Sequence, residues 1–285
     1  MHAMPQRAKT PLRTSRLGTV DYVETARLQR SLRAAREAGA IDDVLLLLEH
    51  DPVITCGTRT EPHEVAYART TDVPLVPVER GGKATYHGPG QVVGYPIIDV
   101  AVVDDDVKEL VWRLEEAIIL ALDAHGLDAE RRTGYPGVWI DADARRPRKV
   151  ASVGLRLTRG VTFHGIAINV ANDMAPFGWF TPCGIPDAEM TSVARELDLE
   201  GAEADELRVL VTSIQENFAD HVRDLFGFAE VATGADDLRL VALRHPVEDP
   251  DLALPGEPRS RRATRVGITD TRIDLAAAGA RTEDA

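Results

Sequence analysis

The stretch VLLLLEH, residues 44–50, decides the fold. Its five consecutive apolar residues, bounded by polar ones, are typical of a short buried β-strand. Before this stretch, apolar residues between positions 19 and 39 roughly follow helical spacing, and Gly39 suits the end of that helix. The sequence therefore predicts a helix that leads into a buried strand.

Further strands and two more helices follow along the chain. Strand-like segments after residue 50 are PVITCG, LVPVER, VVGYPIIDV, GVWI, KVASVGLRL and VTFHGIAINV. Apolar residues at helical spacing predict one helix from Val107, where the aspartates at 104–106 favour its start, and another that ends at Gly227. This mixture of strands and helices predicts an α/β fold.

Composition separates the two ends of the chain from its middle. Residues 1–16 are basic, contain proline and show no periodicity, and residues beyond 234 include few large apolar side chains. We predict a flexible N-terminal arm over 1–16, one folded domain over 17–233 and a disordered C-terminal tail over 234–285.

Charge and cysteine content exclude several classes of protein. The net charge of -13 argues against broad nucleic-acid binding, which requires a basic surface. The sequence has no run of eighteen apolar residues and no apolar segment near its start, so we expect a cytoplasmic protein without membrane association. With two cysteines, no CxxC and no Cys/His cluster, we predict neither a disulfide scaffold nor a metal site.

The glycine-rich stretch RGGKATYHGPGQ, residues 80–91, is a candidate binding loop between strands. Glycine permits positive φ and exposes backbone N–H groups to a ligand. The phosphate-binding pattern GxxxxGK[ST] is absent. Gly88, Gly90 and Gly94 form the pattern GxGxxxG, which leads into a strand, whereas nucleotide-binding glycine patterns lead into a helix. From spacing alone, a hairpin turn and a binding loop both remain open.

One cysteine and one lysine are candidates for chemistry. Cys183 lies between Pro182 and Gly184, a turn that can expose a thiol, whereas Cys56 alternates with apolar strand residues and is typical of a core position. Lys149 begins an apolar strand, where partial desolvation would let it exchange a proton with a thiol. A structural role for Cys183 as a small buried residue remains open at this point.

Three segments, in this order, closely resemble the lipoyl(octanoyl) transferases of lipoate biosynthesis, members of the biotin/lipoate protein ligase superfamily. They are RGGKATYHGPGQVVGYP, KVASVGLRL with FHGIAINV, and FTPCGIPDAEMTSV, and the similarity spans roughly residues 17–226. The resemblance implies a mixed sheet flanked by helices, a monomer and no cofactor. It also implies an acyltransferase that moves an octanoyl group from acyl carrier protein to a lysine of lipoyl domains, in 2-oxoacid dehydrogenase complexes and in the glycine cleavage H protein.

The resemblance also assigns roles to residues of this sequence. Cys183 matches the nucleophile that forms an acyl thioester, and Lys149 matches its acid/base partner. Both His87 and His164 are interpreted as orienting or substrate-lining groups, with a structural role equally open. The residues that match the family's substrate-binding segments are Arg80, Gly81, Gly82, Lys83, Ala84, Thr85, Tyr86, His87, Ser152, Val153, Gly154, Gly165, Ile166 and Ala167.

A basic segment offers a docking hypothesis for the acidic carrier protein. Residues 131–159 contain eight Arg or Lys against two Asp, a net of +6 in an acidic chain. We hypothesise that this segment binds the carrier, although a solvated, arginine-rich turn would have the same composition.

Three other functions compete with octanoyl transfer. An ATP-dependent lipoate or biotin ligase would share the fold and an equivalent lysine, but it should not need Cys183. A non-catalytic module that binds acyl carrier protein would show no turnover, and a thiol hydrolase would release octanoate to water. The Cys/Lys pair favours the transferase.

Overall fold

The computed structural model describes residues 10–181 and 189–247. The helices in these ranges are α1 (Tyr22–Glu37), α2 (Val107–Asp123), α3 (Val193–Glu196), α4 (Ala204–Phe226) and α5 (Ala235–Arg244). Asp21 caps the start of α1, and Asp106 caps that of α2 by accepting from the backbone N–H groups of Lys108 and Glu109. The three helices predicted from periodicity, α1, α2 and α4, are confirmed.

A large mixed sheet forms the centre of the molecule. Its strands are β1 (Thr10–Val20), β2 (Asp43–His50), β6 (Gln91–Ile97), β7 (Glu130–Arg131), β8 (Val138–Ile140), β9 (Arg148–Thr158), β10 (Val161–Asn169), β11 (Glu189–Met190) and β12 (Phe228–Ala232). Within the described ranges their order is β12-β1-β2-β6-β10-β9-β8-β7, and β11 pairs with β9. Strand β1 is parallel to both of its neighbours, whereas β2, β6, β10 and β9 pair antiparallel in turn.

A smaller sheet lies outside this path. It consists of β3 (Val53–Cys56), β4 (Leu75–Pro77) and β5 (Ala84–His87), in the order β4-β3-β5. Strand β5 occupies the middle of the glycine-rich stretch, which was predicted to be a loop between strands. That prediction is wrong for residues 84–87, because the run ATYH pairs with β3 and is buried along its length.

Strand β2 shows why the quoted stretch is apolar without interruption. Leu45 and Leu47 face a core formed with α2 and α4, whereas Leu46 and Leu48 face a second core with α1 and α5. Successive strand side chains point to opposite faces, so the middle of a strand that is covered by helices on both faces is apolar at every position. The mixed sheet flanked by helices is confirmed.

Both predicted chain ends need correction within the described residues. Residues 10–16 belong to β1, where Leu12 is buried, and they were expected to be part of a flexible arm. Residues 235–244 form α5, which was expected to be disordered, and its Leu238 is buried against α1 and the sheet. Residues 10–16 are ordered by pairing with β2 and β12, and α5 by the burial of Leu238; neither effect is visible in the composition of these segments. Residues 1–9 and 248–285 lie outside the described residues.

No helix among residues 10–181 and 189–247 has the length and apolarity needed to span a membrane.

Candidate active site

A cavity of about 250 Å³ gathers residues that are distant in sequence. Its walls come from β5 and the glycines before it, from β9 and β10, and from the turn at 134–136. Lys149 lines it, and so do all but one of the predicted substrate-binding residues. Those that line it are Arg80, Gly81, Gly82, Lys83, Ala84, Thr85, His87, Ser152, Val153, Gly154, Gly165, Ile166 and Ala167.

Tyr86 is the exception, and its expected place among the lining residues needs correction. Its ring packs edge-on against Phe177, 5.7 Å between centroids, in an apolar cluster with Ile54 and Phe180. The reason is the alternation of strand side chains, which points Thr85 and His87 into the cavity and Tyr86 away from it.

Cys183 lies outside the described residues, but the residues on either side of residues 182–188 are anchored at the cavity. On one side, Thr181 donates its N–H to the carbonyl oxygen of Glu64 at 3.3 Å, and the carboxylate of Glu64 pairs with Lys83. On the other side, Met190 of β11 pairs with Lys149 of β9, and the N–H of Thr191 donates to the Lys149 carbonyl at 3.0 Å.

Lys149 is a buried base at the cavity wall, 4% exposed. Its Nζ donates to the carbonyl oxygen of Pro136 at 2.8 Å and lies 4.9 Å from the centroid of the Trp139 ring. A carbonyl oxygen and an aromatic face contact this amine and help to hold it at the cavity wall. The nitrogen is therefore fixed in direction.

Arg80 shapes the glycine segment. Its Nη2 donates to both the carbonyl oxygen (3.1 Å) and Oγ1 (2.7 Å) of Thr55, and its Nη1 donates to the carbonyl oxygens of Gly81 (3.1 Å) and Lys83 (2.9 Å). One guanidinium thus binds the segment to β3 and donates hydrogen bonds to three backbone carbonyl groups.

A chain of amides fixes the tautomer of His87. Asn169 Nδ2 donates to the Thr191 carbonyl at 3.0 Å, and Gln91 Nε2 donates to Asn169 Oδ1 at 2.8 Å and to the Tyr86 carbonyl at 3.1 Å. Gln91 Oε1 must then accept, at 2.8 Å, from His87 Nδ1. Burial is the main cause that lowers the pKa of His87 to about 3, so the ring is neutral and its Nε2 is an acceptor.

His50 continues the same buried cluster. Its Nδ1 donates to the Val20 carbonyl at 2.9 Å, so its Nε2 accepts from the Tyr95 hydroxyl at 2.7 Å. Burial lowers the pKa of His50 to about 4, and it raises that of Tyr22, whose ring stacks on His87, to about 12. Tyr22, Tyr95 and His87 line the cavity, and His50 packs against all three of these rings.

His164 is buried on β10 and lines the cavity. Its backbone has φ +58°, and its N–H donates to Gln29 Oε1 at 2.8 Å. Burial, with the nearby charges of Arg80 and Arg30, lowers the pKa of this imidazole well below its ordinary value. A base this weak is a poor proton acceptor, consistent with the exclusion of both histidines from the predicted catalytic residues.

Acidic residues neutralise part of the basic segment at 131–159. Arg148 contacts both Asp141 and Glu196 at 2.8 Å, and the side chains of Arg131 and Arg159 are paired with glutamates at 2.6 Å. Arg146 lies 3.4 Å from Glu189. Apart from Asp141, these acidic partners lie outside residues 131–159, so a count along the segment overstated its local charge.

Sequence reasoning missed several residues that line the cavity. They are Tyr22, Arg59, Tyr95, Gly134, Tyr135 and Pro136. Tyr95 lies within a segment that carried the resemblance, and its position there was the available signal. Tyr22 starts α1 and the turn at 134–136 precedes β8, and no local pattern in the sequence connects either of them with β5.

Gly165 marks the closest approach of two strands beside the cavity. A Cβ added at this residue would lie 2.1 Å from the Gly94 carbonyl oxygen and 2.6 Å from Pro96 Cδ. Gly165→Ala should therefore push β10 away from β6 and cost about 1–3 kcal/mol of the free energy of unfolding. Thermal unfolding measures this effect, with Gly178→Ala as the control, since a Cβ at Gly178 meets no atom within 4 Å. Equal Tm values for the two variants would contradict the packing argument.

The fold belongs with the catalytic domains of lipoate protein ligases. A lipoate-protein ligase A bound with ATP matches with TM-score 0.60 and 16% identity, over 81% of this chain and 92% of that one. The bi-partite lipoate protein ligase of Thermoplasma acidophilum matches with TM-score 0.58 and 17% identity, over 82% and 91%. A sequence profile described as the lipoyl protein ligase A/B catalytic domain matches residues 21–215, and the chain belongs to that family.

Proteins with similar sequences indicate which activity of the family this chain has. The octanoyltransferase of Mycolicibacterium smegmatis is 49% identical over 191 residues, 67% of this chain and 82% of that one. The octanoyltransferase of Mycobacterium avium is 47% identical over 221 residues, 77% and 91%. The predicted resemblance is confirmed: the protein is an acyltransferase that transfers octanoyl groups in lipoylation.

Proposed function

We propose that this enzyme transfers octanoate from octanoyl-acyl carrier protein to a specific lysine of lipoyl domains through a thioester on Cys183. The observation that carries the proposal is the anchoring of residues on both sides of 182–188 at the cavity. Met190 pairs with Lys149 itself, and Thr181 is bonded to Glu64, the ion-pair partner of Lys83. This anchoring supports a single site that contains both Cys183 and Lys149.

The first half-reaction forms the acyl-enzyme. The Cys183 thiolate attacks the carbonyl carbon of the octanoyl thioester, a bond forms to the Cys183 sulfur, and the bond to the carrier's sulfur breaks. Lys149 takes the proton of Cys183 and returns it to the departing carrier thiolate. Because one thioester replaces another, the step needs no external source of energy.

The second half-reaction forms the product amide. The neutral amine of the acceptor lysine attacks the acyl-enzyme, its C–N bond forms, and the bond to the Cys183 sulfur breaks. Lys149 passes the proton lost by the amine to the Cys183 thiolate. Both halves pass through an oxyanion, and the backbone N–H groups of the glycine segment at 81–82 are suitable donors for it.

The cavity suits an octanoyl tail. Pro136 and Ala167 are apolar residues of its lining, and the rings of Tyr22 and His87, which also line it, are neutral. At about 0.8 kcal/mol per buried CH₂, an eight-carbon chain gains several kcal/mol from this surface.

Mass spectrometry of the acceptor tests the proposal against the ligase alternative. The enzyme is mixed with octanoyl-acyl carrier protein and an unmodified lipoyl domain, without ATP, and a parallel reaction receives free octanoate and ATP. We expect an octanoyl mass shift on the lipoyl domain in the first reaction only. Modification that requires ATP and free octanoate would establish a ligase, and free octanoate released from the carrier without modification would establish a hydrolase.

A further inference from the structure

Glu115 is a buried carboxylate on an otherwise apolar face of α2. It is 7% exposed, and the residues that share this buried face include Leu114 and Ile118. A charge in such a place is costly unless specific partners stabilise it. Burial raises the pKa of the Glu115 carboxyl, an effect opposed by the Gly137 N–H and by the charges of Arg131 and Lys149.

The partners of Glu115 connect it to Lys149. Its Oε1 accepts from the backbone N–H of Gly137 at 2.8 Å, and its Oε2 lies 3.4 Å from Arg131 Nε. The carbonyl just before Gly137, that of Pro136, is the one to which Lys149 Nζ donates at 2.8 Å. A single peptide unit therefore bonds to Glu115 on its N–H side and to Lys149 on its C=O side.

Gly137 lets the backbone approach the end of the Lys149 side chain closely. It has φ +121°, and a Cβ there would lie 2.6 Å from Lys149 Cε, 3.1 Å from Lys149 Nζ and 2.4 Å from the Ala151 carbonyl oxygen. Glycine alone fits both the conformation and the space. The peptide held by Glu115 thus forms a wall against the end of the lysine side chain.

We propose that Glu115 is a positioning residue for Lys149, which it fixes and balances electrostatically through the peptide between Pro136 and Gly137. The inference rests on the proposed role of Lys149 in acyl transfer. Charged groups near this pair include Arg131, which is shared with Glu116 at 2.6 Å, and Arg132, whose guanidinium lies 5.2 Å from the Trp139 ring centroid. Among the described contacts, Glu115 is the acidic side chain that bonds to the peptide unit contacted by Lys149 Nζ.

Two substitutions separate the charge of Glu115 from its hydrogen bond. In Glu115→Gln the amide oxygen can still accept from Gly137, but the charge that stabilises the Lys149 ammonium is lost. Because a negative charge near Lys149 is removed, we expect the pH profile of single-turnover acylation to move to lower pH. In Glu115→Ala the peptide is also released, and the acylation rate should fall by about 10²-fold with KM for octanoyl-acyl carrier protein little changed.

Glu116→Gln is the matched control. It removes the same charge from the next residue of α2 and breaks an ion pair with the same arginine, but Glu116 has no bond to Gly137 in the described contacts. Its acylation rate and pH profile should equal those of the wild type. If Glu115→Gln, folded as judged by its Tm, shows the profile of Glu116→Gln, the positioning role is refuted. If the wild type itself forms no octanoyl adduct, the proposed function fails and the positioning role with it.

Discussion

Cys183→Ala should eliminate the octanoyl adduct of the enzyme and lower octanoyl transfer by more than about 10³-fold, as expected when a covalent nucleophile is removed. Intact mass spectrometry after incubation with octanoyl-acyl carrier protein measures the adduct directly. In the wild type the added mass should disappear on treatment with hydroxylamine, which cleaves thioesters. The variant should remain unmodified at every time point.

Cys56→Ala provides the matched control. Cys56 ends β3, half-buried beside apolar residues of the smaller sheet, and burial raises the pKa of its thiol. A thiol with a raised pKa is a poor nucleophile at neutral pH. This variant should keep the adduct and the transfer rate at a modest cost in stability. An adduct that survives in Cys183→Ala, or one that is lost in Cys56→Ala, would contradict the assignment of the nucleophile.

Lys149→Met should lower the rate of acylation by about 10²–10⁴-fold, the usual contribution of a general acid or base. Methionine has nearly the length and flexibility of lysine and can pack on Trp139, so the variant should fold. Because a free thiol ionises near pH 8.5, raising the pH to about 9 should restore part of the acylation rate without the lysine. Stopped-flow or quenched single-turnover reactions with octanoyl-acyl carrier protein measure both effects.

Lys108→Met is the control for this substitution. Lys108 is exposed near the start of α2, so its replacement changes the same charge without touching the cavity. Its acylation rate should match that of the wild type at every pH. A Lys149→Met enzyme that acylates at the wild-type rate would show that the proton is handled by another group.

Most of the candidate site could be predicted because its residues lie in short, distinctive segments. The glycines at 81–82 and the strand that begins near Lys149 are contiguous patterns, and each contributes several neighbouring residues to the cavity. The prediction placed every residue from Arg80 to His87 in the substrate-binding site, but alternation along β5 turns the Tyr86 side chain away from the cavity. Glu115 was not found, because a glutamate among helical apolar positions is unremarkable until the partner of its carboxylate is known.

The sequence by itself determined the α/β class, the main helices, the buried strand at residues 44–50 and the family, because each depends on local periodicity or on contiguous motifs. The tertiary structure alone decided the order of the strands, the docking of residues 10–16 and 235–244, and the neutralisation of the basic segment. It also decided that the carboxylate of α2 meets the peptide that binds Lys149. These features depend on contacts between residues far apart in the chain, and such contacts leave no periodic trace in the sequence.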